Sequence, residues 1–155
     1  MSKRVLIAYV SKRGATRDYA QVVGETLRSR GHKVDLVDLK KDRKPDLSPY
    51  DVVVVGTGVQ MGMVYRKGKR VLERKELAGK QVAIFLSSGI AIEDPEGSRE
   101  KFLTPLVERL GLHPLMCDAF PGRMPGDVRH ANDRTDPEIA RRWAEELAEK
   151  LSPSE

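Results

Sequence analysis

The sequence predicts a doubly wound α/β fold, a parallel sheet covered by helices on both faces. Three observations carry this reading. Strand-like and helix-like segments alternate from end to end of the 155 residues, and alternation of that kind builds parallel sheets through right-handed crossovers. The run Val52-Val53-Val54-Val55 is apolar on both sides of a would-be strand, the mark of a central parallel strand. The turns rich in Gly and Ser fall at the carboxyl ends of the predicted strands, where open α/β sheets place their ligands.

The first element is the apolar run from Val5 to Val10, which stops at Ser11. Apolar residues return at helical spacing at Ala20, Val23 and Leu27, and Gly31 closes that helix. A second strand covers His32 to Leu39, a polar turn runs from Lys40 to Pro49, and a third strand spans Asp51 to Gly56. Arg66 to Lys75 reads as a short basic helix with Val71 and Leu72 inward, and Gln81 to Ser87 as another buried strand. From Ser98 to Gly111, Phe102, Leu103, Leu106, Val107 and Leu110 form one stripe. Pro105 falls inside that stripe and predicts one helix with a kink. A fifth strand covers Pro114 to Phe120, and a loop runs from Pro121 to Thr135. Thr135 or Asp136 caps a last helix that turns Ile139, Trp143, Leu147 and Leu151 inward, and Ser152 to Glu155 reads as a frayed tail. No repeat or linker divides the chain, so residues 1–155 are expected to form a single domain.

Composition narrows the classes of function. Hydrophobic residues make up 39% and charged residues 33%, and no apolar run approaches the ~20 residues of a membrane-spanning helix. The N-terminus leads directly into a strand, so no signal peptide and a cytoplasmic location are expected. A lone cysteine, Cys117, excludes an internal disulfide and reads as a buried structural thiol. The net charge of +5 comes from cations interleaved with acids and without interleaved aromatics, which suits an acidic protein partner better than nucleic acid. His32 and His113 precede strands and are expected at the surface on the far edge, and no His, Cys and carboxylate cluster has metal-ligand spacing.

Three loops hold the candidate chemistry. Ser11, Lys12, Arg13, Gly14, Ala15 and Thr16 gather hydroxyls, backbone N–H groups and two cations at the positive end of a helix dipole. Such a loop can hold a phosphate. It is neither G-x-x-x-x-G-K-[ST] nor G-x-G-x-x-G, so a P-loop NTPase and a dinucleotide fingerprint are not expected. The second loop, Gly56, Thr57, Gly58, Val59, Gln60, Met61 and Gly62, misses the dinucleotide spacing by one residue. The third begins Ser87, Ser88, Gly89, Ile90 and runs to Asp94. A phospho-receiver domain would need acids where Ser11 and Thr57 stand.

The first loop in its strand-loop-helix context resembles the flavodoxin signature. Tyr9, Ser11, Gly14, Thr16, Ala20 and Val23 fill that pattern in register, with Ala8 as the one departure. The resemblance extends from about Val5 to about Met124. Within the family, the single-domain group that includes menaquinone-dependent protoporphyrinogen oxidase looks most similar. It shares the long second loop, the Lys101-Phe102-Leu103 helix start and a Gly-Arg turn after the fifth strand, but the oxidase's long basic insertion is missing here.

The resemblance implies a five-stranded, three-layer sheet in the order 2-1-3-4-5 and a bound FMN. Ser11 to Thr16 would take the phosphate, Thr57 to Gly62 the isoalloxazine edge, and Ser87 to Ile90 the pyrimidine end. Gly62, with Gly58 in reserve, would turn its carbonyl toward the protonated N5 of reduced flavin. Many flavodoxins stack aromatics on the flavin; neither loop here has one, so Met61 and Ile90 are the expected contacts, with Tyr65 as a lid. Many are also acidic, whereas here Lys12, Arg13, Arg123, Arg129, His130 and Arg134 converge on one sheet edge. The function implied is electron transfer between redox proteins, with no catalytic residue of its own. The alternatives are a flavin-dependent oxidoreductase of the protoporphyrinogen oxidase or quinone reductase type, and a flavin-free interaction module. Oligomeric state is left open.

Overall fold

A computed structural model describes residues 2–123 and 134–151. β1 (Arg4–Tyr9) leads into α1 (Ala15–Ser29) and β2 (Lys33–Asp38). A polar connection reaches β3 (Val52–Gln60), which folds back through β4 (Met63–Val64) into α2 (Arg66–Leu72). β5 (Gln81–Ser88), α3 (Pro95–Ser98), α4 (Thr104–Leu110), β6 (Met116–Pro121) and α5 (Pro137–Leu151) follow.

The strands lie in the order β2-β1-β3-β5-β6, parallel throughout, with β4 antiparallel on β3. With β4 set aside this is the order implied by the resemblance. The expectation of five strands is corrected to six. The difference arises because β3 runs past Gly56 to Gln60 and then reverses at Met61 and Gly62, whose φ angles are 52° and 76°. Two residues at positive φ make the tight hairpin turn whose twist matches the flanking strands. Most of the second loop is therefore strand.

The four valines of β3 are fully buried and divide between two cores. Val52 and Val54 face the layer of α1 and α5; Val53 and Val55 face the layer of α2 and α4. On the α1 and α5 side the rings of Tyr19, Phe85, Phe120 and Trp143 meet with centroids 5.1–5.8 Å apart. Each such pair adds about 0.5–1.5 kcal/mol beyond its area burial. Their polar ends are satisfied: the Trp143 indole donates to Asp118 Oδ2 at 2.8 Å, and the Tyr19 hydroxyl donates to the Pro121 carbonyl.

The segment containing Pro105 is one kinked helix. It starts earlier than the apolar stripe suggests, because Asp94 Oδ1 accepts the Gly97 N–H at 2.9 Å and Pro95 takes the first helical position. Arg99–Leu103 form a π-turn that joins α3 to α4. Pro105 has no N–H for the Lys101 carbonyl, and the wider turn accommodates that loss. At α5 the cap is Asp136, whose Oδ1 accepts the Glu138 N–H at 3.0 Å.

His32 departs from its expected surface position: it is 7% exposed, and its Nδ1 accepts the Lys3 N–H at 3.1 Å. Burial disfavours the charged ring and the nearby Arg30 and Lys3 add to this, so its pKa falls below the usual 6.5. The unfolded chain then binds more protons than the folded one. Stability contributed by the neutral ring is complete above about 6.5 and is lost as pH falls from there to the folded pKa. Thermal denaturation between about pH 7.5 and about pH 5 is expected to show a larger loss for the natural protein than for His32→Asn, whose amide oxygen accepts the same N–H without titrating. Equal losses would remove His32 as the cause.

Cys117 is half-buried and packs against the α2 and α4 core. Burial, then Asp118, pushes its thiol up to about 12, so it stays protonated. Among the described residues no helix is long and apolar enough to cross a membrane, and no His, Cys, Asp and Glu group could hold a metal ion.

Candidate functional site

The carboxyl ends of β1, β3 and β5 open onto one cleft of about 680 Å³, within the ~300–1,000 Å³ of cofactor sites. Its first wall is the loop before α1. Gly14 caps α1 at φ 87°, and no side chain caps that helix end. The first N–H groups of α1 therefore lack an intrahelical partner and lie at its positive pole. Ser11 Oγ accepts the Gly14 N–H at 2.9 Å and closes the turn. The buried Thr16 hydroxyl donates to the Thr57 carbonyl at 3.0 Å and lies 2.7 Å from Ser87 Oγ, bracing α1 against β3 and β5. Arg123 straps the loop from beyond β6, donating to the Arg13 carbonyl at 3.1 Å and pairing with Asp18 at 2.7 Å.

The hairpin of β3 and β4 forms the second wall. Tyr65 lies against Gly58, where a Cβ would stand 2.7 Å from its ring. Lys12 donates to Gln60 Oε1, and its Nζ sits 5.0 Å from the centre of the Tyr65 ring. Burial raises the Tyr65 phenol above its usual pKa, against the lowering pull of Arg13. Lys12 thus reaches across to the hairpin wall.

In the third wall, Ser88 Oγ lies 2.6 Å from Ser98 Oγ and accepts the Ala91 N–H at 3.1 Å, holding the turn at Gly89 and Ile90. Met61, Met63 and Ile90 are 94%, 65% and 42% exposed, and Met61 and Ile90 line the cleft itself.

The residues expected at the site all line the cleft except Gly14, Thr57 and Gly58. Gly14 shapes the loop from behind, and Gly58 makes room for Tyr65. Thr57 points its hydroxyl to the opposite face, where Gly68 of α2 leaves space for it and nothing bonds it. Tyr65, expected as a lid, and Arg123, expected as a cation at this edge, also line the cleft, together with Lys101, Phe102 and Gly122, which were not expected there. Phe102 keeps its place on the helix's inward stripe, buried with Leu103 and Leu106, and with Lys101 it also borders the cleft. The cleft thus has two aromatic rings, the expected Tyr65 and the unexpected Phe102; neither the second nor the third loop itself carries one. Of the cations expected at this edge, Arg123 is paired with Asp18, Arg134 is exposed, and Arg129 and His130 lie outside the described residues.

A doubly wound parallel sheet with a cleft at its carboxyl edge defines the open-sheet class of α/β protein, which places its ligands at that edge. A sequence profile described as a flavodoxin domain matches residues 6–135, and the chain belongs to the flavodoxin family. Flavodoxin 2 of Bacillus cereus is 24% identical with a TM-score of 0.69, covering 96% of this chain and 99% of that one. Flavodoxin 1 of Bacillus cereus is 15% identical over 96% and 99%, with a TM-score of 0.66. The rubredoxin oxygen:oxidoreductase of Desulfovibrio gigas is 21% identical with a TM-score of 0.68 over 96% of this chain, which spans only 36% of that larger protein. These likenesses show the shared fold. A search of curated protein sequences finds no match.

Proposed function

We propose that this chain binds FMN in the cleft and carries one or two electrons between redox partner proteins, as a single cytoplasmic domain. The observation that carries the reading is the α1 N-terminus, which no side chain caps and which opens beside Ser11 onto the cleft. Free N–H groups at a dipole's positive end are what a phosphate monoester requires. The donor set fits the whole cofactor. Ser11 and the N–H groups of Arg13, Ala15 and Thr16 hold the phosphate, the Gly14 N–H closing the turn on Ser11 Oγ, and Arg13 together with Lys12, which is long enough to leave Gln60, neutralises it. Met61, Tyr65, Ile90 and Phe102 supply apolar and aromatic surface for a flat ring system, and Ser87, Ser88 and Gly89 supply polar groups for its pyrimidine end. FMN provides reversible one- and two-electron chemistry, while the chain binds it, orients it and limits its exposure to water. The exposed Met61 and Met63 at the rim suit contact with another protein over turnover of a small substrate.

The test is the visible spectrum of the freshly purified protein, chromatography of any released cofactor, and addition of FMN to colourless protein. Flavin bands close to one per chain, released as FMN, are the expected result. Colourless protein that leaves the fluorescence of added FMN unchanged would remove the electron-carrier reading and favour a flavin-free interaction module.

A further inference from the structure

A second cavity, of about 570 Å³, lies beside the cleft between the connection after β2 and the helix α2. It is lined by Arg43, Lys44, Arg66, Lys67, Arg70 and Arg74, with Glu73 as the single acid. Arg74 has structural work, donating to the Pro45 carbonyl at 2.6 Å and pairing with Glu76 at 2.7 Å. The side chains of Arg43, Lys44, Arg66, Lys67 and Arg70 form no ion pair or hydrogen bond among the described residues. Six cations gathered around a single acid repel one another, and that repulsion is relieved by a partner's carboxylates.

The position of this groove gives it meaning. Tyr65 lines the cleft and the next residue, Arg66, lines the cationic groove, so the two adjoin. The same short stretch carries Met61 and Met63, exposed at the hairpin turn. An exposed apolar patch flanked by one sign of charge marks a protein contact. The groove lining contains no aromatic side chain on which a base could stack, which disfavours nucleic acid.

We propose that Met61, Met63 and the groove of Arg43, Lys44, Arg66, Lys67 and Arg70 form the docking surface for an acidic redox protein. The inference rests on the electron-carrier reading for its purpose, but the surface can be tested separately. Cations steer a carboxylate-rich partner to the groove, and the methionines exclude water at the point nearest the cleft.

The test titrates the isotope-labelled full chain, with FMN added, against an acidic [2Fe–2S] ferredoxin and against basic cytochrome c, followed by amide chemical shifts. Shifts at Arg43, Lys44 and Met61 to Arg70 on ferredoxin addition, weakening as salt rises, are expected. The combined variant Arg66→Glu, Lys67→Glu, Arg70→Glu should bind ferredoxin about tenfold more weakly or worse, with FMN uptake unchanged. Lys33→Glu, Arg109→Glu, Lys150→Glu removes as much charge elsewhere and should stay within about twofold. Equal binding of cytochrome c, shifts confined to another face, or an unaffected groove variant would overturn the proposal. So would displacement of ferredoxin by a mixed-sequence RNA oligonucleotide, which would reassign the groove to nucleic acid. Salt-sensitive docking at the groove by a chain that takes up no FMN would uphold the surface and remove the electron-carrier reading instead.

Discussion

Gly14→Val is expected to weaken FMN binding by about 30-fold or more, because an L side chain in the left-handed region costs about 1–2 kcal/mol and a β-branched one costs more. Gly14 holds φ 87° at the start of α1, and on the proposed reading this turn presents the loop's N–H groups to the phosphate. The side-chain ends of Arg123 and Arg17 already lie 2.8 and 3.0 Å from where a Cβ would stand. These ends can swing aside, so the backbone angle is the decisive term. With Val in place, the free protein relaxes out of the left-handed region and the donors turn away from the phosphate. Binding must then restore the strained angle at a cost in affinity. Because the strain is confined to an exposed loop, denaturation should change little. Gly14→Asn separates angle from bulk, since Asn tolerates positive φ. Fluorescence titration with FMN should place the Asn variant near the natural protein and the Val variant far from it. Equal affinities for all three would mean that this loop does not hold the phosphate.

Phe85→Ala should be the most destabilising single change in the core, at about 3–5 kcal/mol. Phe85 is fully buried on β5, stacks on Phe120 at 5.5 Å and meets the edge of Trp143 at 5.6 Å. Its ring tip sits over Gly56 of β3, where a Cβ would stand only 2.4 Å away. Three rigid elements surround the ring, so little collapse can fill the vacancy, and lost contact adds to lost transfer energy. Gly56 therefore serves the core. Urea denaturation of the variant checks the figure; a loss below about 1.5 kcal/mol would show that the cluster repacks freely. Phe85 precedes Ser87 on the same strand, and Ser87 Oγ lies 2.7 Å from Thr16 Oγ1. Loosening this core should thus also loosen the brace that positions α1 at the cleft.

Local patterns were enough for the first strand, its loop and α1, for the central position of β3, and for which three segments meet at the cleft, although most of the second is strand. Each of these depends on neighbours in sequence: a valine run reads the same whatever packs on it, and a change from strand to helix period needs no distant partner. The features that shape the cleft depend on long-range packing. Arg123 grips the Arg13 carbonyl across 110 positions, and Tyr65 is a wall because Gly58 offers it a seat. Phe102 and Lys101 border the cleft because their helical segment packs against β6, a long-range contact that periodicity cannot reveal. His32 is buried by its contact with Lys3 on the neighbouring edge of the sheet, and Thr57 faces α2 because Gly68 leaves room there. A one-dimensional pattern specifies which face a residue prefers, whereas packing and backbone pairing determine what it meets there.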